Sequence, residues 1–129
     1  MINNLKRIKY SNAIILGDLF VILTILVHSL IFAHIIPRNW VSGGLVTSIE
    51  IQNQISLINL GVISLDFLFI QCANHSRDSN TVRLVAMTFS IVWFVGLLMQ
   101  LLGTPFEKLV MTIVLLIGLI SHFRLTIKD

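Results

Sequence analysis

The sequence predicts an all-α membrane protein built as a bundle of four transmembrane helices. Of its 129 residues, 56% are hydrophobic and only 12% are charged, whereas soluble domains carry about 25% charged residues. So few charged side chains cannot cover a water-facing surface, and disorder requires the opposite composition. The mean hydropathy of +0.93 points the same way. The composition therefore excludes an ordinary soluble domain and an intrinsically disordered chain.

Four apolar runs define the predicted spans, because a transmembrane helix needs about 20 such residues. Continuous runs favour helices over the alternating pattern of a membrane β-barrel. The predicted spans are 12–36, 51–73, 82–102 and 105–123. They use most of the chain and leave no room for a separate soluble domain. We therefore expect one integral membrane domain over residues 1–129.

The junction between the third and fourth spans carries the most specific local pattern. Gly103 suits the position after a helix end, where a positive φ costs glycine little. Thr104 then suits the N-cap, Pro105 the first helical position and Glu107 the third, which is a capping box with proline at its preferred place. This pattern predicts a tight antiparallel hairpin of the third and fourth helices.

The distribution of cations predicts the orientation of the bundle. Seven of the nine Lys and Arg residues lie in the two tails and around the connection between spans two and three, namely Lys6, Arg7, Lys9, Arg77, Arg83, Arg124 and Lys128. Arg38 and Lys108 lie on the other side, where Glu50 and Glu107 offset their charge. Because cytoplasmic loops carry the excess of cations, we expect both termini in the cytoplasm and the protein in a bacterial inner membrane.

A stripe of polar residues runs along the second predicted helix. Gln52, Ser56, Asn59 and Asp66 follow one another at intervals of 4, 3 and 7 residues, which places them on one helical face. Lipid offers no hydrogen-bond partners to such a stripe, so it should face other helices or water. Two interpretations remain open. The stripe either joins helices through hydrogen bonds or lines a pore or ion path with Asp66 as its charged element.

A second intramembrane carboxylate, Asp18, lies in the first predicted helix. Asp18 and Asp66 each lie seven residues inside the predicted cytoplasmic ends of their helices, a depth of about 10 Å. An ionisable group near the bilayer centre costs about 2.5–3.5 kcal/mol on insertion scales. If the two carboxylates were adjacent, they would form a proton or cation site. Alternatively, Asp18 reaches the interface or pairs with Arg77 or Arg83.

No pattern in the sequence predicts a cofactor, a metal or a catalytic centre. Cys72 is the single cysteine and gives no metal-binding spacing. His28 and His122 are predicted in opposite leaflets, so they do not form a bis-histidine haem site. His34, near Trp40, is expected to form hydrogen bonds at the interface or to sense pH.

These observations predict a membrane subunit without catalytic activity. It would anchor, sense or relay for a cytoplasmic protein partner, for copies of itself, or for both, within the lipid bilayer and without direct contact to nucleic acid. Arg77, Arg83 and Arg124 form the predicted docking face for an acidic partner or anionic lipid. The alternative is a small ion channel or proton-coupled transporter that uses Asp18 and Asp66. An enzyme acting on lipid comes third, because no nucleophile can be paired with a base.

The organisation of four short helices without a soluble domain resembles two kinds of bacterial membrane protein. It is similar to membrane subunits of two-component defence systems, such as the Kiwa type, and to bacteriocin-immunity proteins. The resemblance is one of architecture, without a shared motif, and architecture alone does not define function. It implies a role beside a partner in defence or immunity.

Overall fold

The computed structural model describes residues 5–46, 48–77 and 79–128. The protein is 83% helical, and the described residues include no strand. The long helices are α1 (Tyr10–Phe32), α2 (Ile49–His75), α3 (Asn80–Leu101) and α4 (Thr112–Leu125), and α4 is entered through a π-turn at Glu107–Met111. Four helical stretches are long and apolar enough to cross a membrane, the last one over Glu107–Leu125. The prediction of an all-helical chain with four such helices is confirmed.

The first helix ends earlier than predicted. The span was expected to reach residue 36, before Pro37, but α1 ends at Phe32. His34 has a left-handed φ of 58°, and the Ile35 N–H donates to the Leu30 carbonyl oxygen at 2.9 Å. This is a Schellman motif with histidine in place of the usual glycine. The first helix is therefore terminated by its own capping turn. The ends of the other three spans lie within two residues of their predicted positions.

Apolar side chains cover the outside of the bundle as well as its interior. Every long helix exposes large hydrophobic residues, with examples such as Ile15 at 63%, Leu65 at 64% and Leu84 at 67% exposure. Soluble monomers rarely expose apolar patches larger than a few hundred Å². The outer faces, like the helix lengths, indicate a membrane protein.

The helices do not pack equally against one another. Helix α1 packs against α2 and α4, and α4 also packs against α3, whereas α2 and α3 meet directly over a small area. The rings of Phe69 and Phe89 stack across that area with centroids 5.5 Å apart. In contrast, a Cβ atom added to Gly118 would lie 2.7 Å from the Phe20 ring, and one added to Gly17 would lie 2.9 Å from the Ser121 hydroxyl. Glycine at these two positions lets α1 and α4 approach closely.

The bundle has two distinct ends. We call the end with the two chain termini and the α2–α3 connection the terminal end, and the opposite end, with the α1–α2 and α3–α4 connections, the loop end. At the loop end the α1–α2 connection folds over the bundle through two short 3₁₀ turns, Arg38–Trp40 and Ser42–Gly44. The Thr104 hydroxyl donates to the carbonyl oxygen of Trp40. The connection is therefore held against the α3–α4 hairpin.

The predicted capping box of the α3–α4 hairpin is present. The Thr104 N–H donates to the Glu107 carboxylate at 2.7 Å, and the Glu107 N–H donates to the Thr104 hydroxyl at 3.3 Å. The reason given for Gly103 was wrong, because Gly103 is not among the residues with positive φ. A Cβ atom at Gly103 would overlap the Glu107 carboxylate. Glycine is needed there for the close approach of the capping side chain.

Candidate functional site

The only ion pair among the described residues lies in the bundle interior, between Asp66 and His122. The Asp66 Oδ1 and His122 Nε2 atoms are 2.7 Å apart, and both side chains are fully buried. The other ring nitrogen, Nδ1, lies 2.7 Å from the Gly118 carbonyl oxygen. A carbonyl oxygen only accepts hydrogen bonds, so Nδ1 carries a hydrogen. A hydrogen bond between Nε2 and Oδ1 then requires one proton between these two atoms.

Aromatic rings surround this Asp66–His122 pair. The imidazole stacks on Phe69 at a centroid distance of 5.8 Å, and it lies 5.6 Å from Phe89 and 6.3 Å from Phe20. Within the described part of the chain, the second carboxylate oxygen of Asp66, Oδ2, has no hydrogen-bond partner. In such low-dielectric surroundings the shared hydrogen bond is strong and an unpaired charge is costly. The pair therefore forms a short buried hydrogen bond between α2 and α4 in aromatic surroundings.

A cavity of about 350 Å³ lies between the four helices, on the loop-end side of the pair. Its walls include Phe20, Val92 and Met111, and its polar lining comprises Thr24, His28, Ser42, Gln52, Asn59, Trp93, Gln100 and Glu107. The Phe20 and Trp93 rings are in edge contact at 5.0 Å, and Phe20 also borders His122. A layer of aromatic rings thus separates the cavity from the Asp66–His122 pair.

Several buried polar atoms along the cavity have no hydrogen-bond partner among the described residues. Seven buried side-chain N or O atoms of the described residues have no hydrogen-bond partner, and four of them belong to residues of the cavity lining: His28 Nδ1, Gln52 Oε1, Trp93 Nε1 and Gln100 Oε1. His28 is 8% and Gln52 is 2% exposed. Since buried polar groups are normally satisfied, their concentration here indicates a site that receives water or a ligand.

The polar stripe predicted on the second helix is divided between these two features. Gln52, Ser56 and Asp66 are buried, and Asn59 is half-buried. Gln52 and Asn59 line the cavity, and Gln52 also donates to the Ser56 hydroxyl at 3.4 Å. Asp66 instead binds His122 on α4. The stripe therefore faces the interior of a single chain.

The two intramembrane carboxylates do not form the joint site that was considered for them. Asp18 is half-buried and accepts a hydrogen bond from the Gln71 side chain at 2.9 Å, whereas Asp66 binds His122. Depth along a helix does not determine the direction in which a side chain projects. Asp18 projects towards α2 at Gln71, which lies more than one helical turn beyond Asp66.

The predicted docking face loses one of its three arginines. Arg124 was expected on the surface, but it is 3% exposed, and its Nε atom donates to the Ile8 carbonyl oxygen at 2.6 Å. The amino-terminal segment covers this side chain, which therefore ties the two ends of the chain together. Arg83 is half-buried and donates to the Asn80 side chain. Arg77 remains exposed, with its guanidinium group 5.3 Å from the Tyr10 ring centroid.

Two parts of the site were missed by the sequence reasoning. His122 was compared only with other histidines, although a buried carboxylate such as Asp66 was already expected to need a partner. That need was the signal that pointed to a histidine or a cation on another helix. The cavity had a weaker signal, because only Gln52 and Asn59 of its lining belong to the predicted polar stripe.

Comparisons with protein-family models, with curated proteins and with solved structures find no match to this chain. Within the described ranges, no group of three or more His, Cys, Asp or Glu side chains is placed to hold a metal ion. The Asp66–His122 pair and the cavity are therefore the candidate functional features of this chain.

Proposed function

We propose that this protein is a small proton-coupled transporter of the bacterial inner membrane, with both termini in the cytoplasm. The cavity would bind the solute, and the Asp66–His122 pair would take up and release the proton. One observation carries the proposal: the fully buried Asp66 carboxylate and His122 imidazole lie 2.7 Å apart beside a cavity whose lining includes polar atoms without a partner among the described residues.

The proton site supports coupling because each change of protonation alters the contact between α2 and α4. Ionisable residues within transmembrane helices commonly mark proton relays. Loss of the shared proton leaves two acceptors, Asp66 Oδ1 and His122 Nε2, facing each other at 2.7 Å. Gain of another proton gives the pair a net positive charge in an aromatic surrounding. Both changes cost free energy, so they favour a rearrangement of the two helices.

The layer of aromatic rings would act as a barrier between the solute in the cavity and the proton at the Asp66–His122 pair. Phe89 lies 6.1 Å from Trp93 on one side and 5.6 Å from His122 on the other. Both Phe89 and Trp93 belong to α3, the least buried long helix, with 17% of its apolar stretch buried against 44% for α1. A movement of α3 would open the cavity towards the pair while the close α1–α4 contact stays in place.

The test is proton flux into liposomes that contain the purified protein and an entrapped pH-sensitive dye. With a membrane potential imposed and small cationic, neutral and anionic solutes supplied in turn, we expect the wild type to carry protons with at least one solute and Asp66→Asn to fall to the rate of protein-free liposomes. Asp18→Asn is the matched control, because it makes the same change to an intramembrane carboxylate outside the pair, and it should keep the wild-type rate. Equal rates for wild type and Asp66→Asn would refute the proposal, as would the absence of flux in the wild type.

A second candidate function is the membrane subunit without catalysis, in which the protein anchors or relays for a cytoplasmic partner. The exposed Arg77 guanidinium at the terminal end favours it, since it offers a cation to an acidic protein. Charge reversal of Arg77 and Arg83 together should release such a partner in co-purification, while Lys108→Glu at the loop end should not. Unchanged co-purification after the double reversal would exclude this docking face.

A further inference from the structure

We propose that the cavity binds a small organic monocation, an ammonium or guanidinium compound with an apolar body. This inference rests on the proposed transport function and names its substrate class. Three features of the cavity carry it: a buried carboxyl group in its lining, buried amide oxygens without a partner among the described residues, and aromatic walls.

The cavity lining contains one carboxyl group and, among the described residues, no Lys or Arg side chain. Glu107 lines the cavity and is 5% exposed. Its carboxylate accepts hydrogen bonds from the Thr104 N–H at 2.7 Å and from the Gly43 N–H at 3.1 Å. Among the described residues no cation lies within ion-pair distance of it, and neither Lys nor Arg lines the cavity. A buried carboxylate that is hydrogen-bonded but not neutralised attracts a cation and repels an anion.

The unpartnered atoms of the lining are mostly acceptors. Gln52 Oε1 and Gln100 Oε1 accept only, and His28 Nδ1 accepts in one of its two tautomers. The Trp93 indole N–H is the one obligatory donor among the four, and a water or a hydroxyl group of the ligand would satisfy it. An ammonium group brings three donors and a guanidinium group five, with no acceptor. The lining therefore matches a cation that donates N–H groups.

The walls indicate that this cation has an apolar body. Phe20 and Trp93 present aromatic rings, and Met111 and Val114 add aliphatic surface. Aromatic faces attract organic cations, and a volume of about 350 Å³ lies within the range of small-molecule pockets. A bare inorganic cation would leave these apolar walls without contacts.

The inference is tested by equilibrium binding to the detergent-solubilised full-length protein. The Trp40→Phe background leaves Trp93 as the single tryptophan, so its fluorescence reports on the cavity. The probes share one ring and differ in the polar group: cyclohexylammonium, cyclohexanol and cyclohexanecarboxylate. We expect saturable binding of cyclohexylammonium alone, without displacement by an equal concentration of potassium chloride. Equal binding of cyclohexanol, displacement by potassium, or no saturable binding of cyclohexylammonium would overturn the inference.

Two variants test the residues that carry the argument. Glu107→Gln should weaken cyclohexylammonium binding about tenfold, the loss expected for one charge-assisted interaction, while Glu50→Gln at the exposed start of α2 should leave it unchanged. Because Glu107 also caps a helix, Gln100→Leu provides a variant that leaves the cap intact, and it should weaken binding by a smaller factor. Wild-type affinity in both Glu107→Gln and Gln100→Leu would contradict the assigned site. The binding experiment does not depend on a proton gradient. Saturable binding of cyclohexylammonium together with an absence of proton flux in liposomes would therefore refute the transport proposal and leave the assigned binding site in place.

Discussion

The two ends of the bundle treat their buried polar groups in different ways. At the terminal end most of these groups bind one another across helices, through the pairs Asp66–His122, Ser121–Ala13, Tyr10–Ala73 and Asp18–Gln71, and two atoms, Asp66 Oδ2 and Arg83 Nε, have no partner among the described residues. Towards the loop end, four polar atoms around the cavity have no partner among the described residues. Paired polar groups stabilise a fold, whereas unpaired ones cost free energy until a ligand or water meets them. The terminal end therefore supplies stability, and the loop end retains the capacity to bind.

The largest effect should come from breaking the Asp66–His122 pair. Replacing His122 with leucine leaves a buried carboxylate without its partner, which costs about 3–5 kcal/mol. We expect that decrease in the free energy of unfolding of His122→Leu, measured by reversible denaturation in mixed micelles. The double variant Asp66→Leu/His122→Leu should recover much of the loss, because no unpaired group remains. If the double variant lost as much stability as His122→Leu and Asp66→Leu together, the pairing would be contradicted.

A smaller effect is expected at the close contact between α1 and α4. In Gly118→Ala the new methyl group would lie 2.7 Å from the Phe20 ring, and such overpacking costs about 1–3 kcal/mol. Gly61→Ala is the matched control, because a Cβ atom there meets nothing within 4 Å and alanine is the better helix former. The thermal midpoint of unfolding should fall for the first variant and rise or stay level for the second. An equal response of both would argue against the tight α1–α4 contact.

Two single variants compare the ends directly, since Ser121→Ala removes a hydroxyl group at the terminal end and Gln100→Leu removes an amide group beside the cavity. Ser121→Ala removes a hydrogen bond of 2.7 Å to the Ala13 carbonyl oxygen and should cost about 0.5–1.5 kcal/mol. Gln100→Leu removes a side chain whose Oε1 atom has no described partner, and without ligand it should be neutral or stabilising. Denaturation of the two variants side by side gives the comparison. A greater loss in Gln100→Leu than in Ser121→Ala would reverse the roles assigned to the two ends.

The smallest effect is expected at the surface of the terminal end. Arg77 is exposed, so Arg77→Gln should change the free energy of unfolding by no more than about 0.5 kcal/mol. Arg124→Gln should cost more, because it removes the hydrogen bond to the Ile8 carbonyl oxygen. Denaturation curves of the two variants give the comparison, and equal curves would show that the burial of Arg124 is unimportant for stability.

The fold was largely predictable because its signals are local. A continuous apolar run indicates a span by itself, and the Thr104–Glu107 capping box involves residues only three positions apart. The Asp66–His122 pair joins residues 56 positions apart, and their meeting depends on the rotation of two helices about their axes. Nothing within either segment encodes that rotation. The pairing of Asp66 with His122 therefore depends on the packing of the whole bundle and not on either segment alone.

Arg124 illustrates the same limit for the surface. A cation near the carboxyl end, outside the predicted spans, is typical of an exposed interfacial residue. Its burial depends on Ile8, which lies 116 positions away and supplies the carbonyl oxygen. The direction of the polar stripe on α2 could be predicted from the sequence, because the spacing of its residues places them on one face of the helix. Its division between the cavity and the pair depends on what the neighbouring helices present.

The π-turn at Glu107–Met111 has a consequence for how this chain tolerates insertions and deletions. A π-turn takes up one residue more than an α-turn, and each residue of an α-helix rotates the chain by about 100°. The turn begins at Glu107, which faces the cavity, and precedes His122, which faces Asp66. Deleting one residue within it would restore a regular α-turn over the same rotation, so His122 would still face Asp66. Deleting one residue of the regular helix between Thr112 and His122 would instead turn His122 away from Asp66 by about 100°. The π-turn is therefore a stretch of this helix where the loss of one residue is expected to be tolerated.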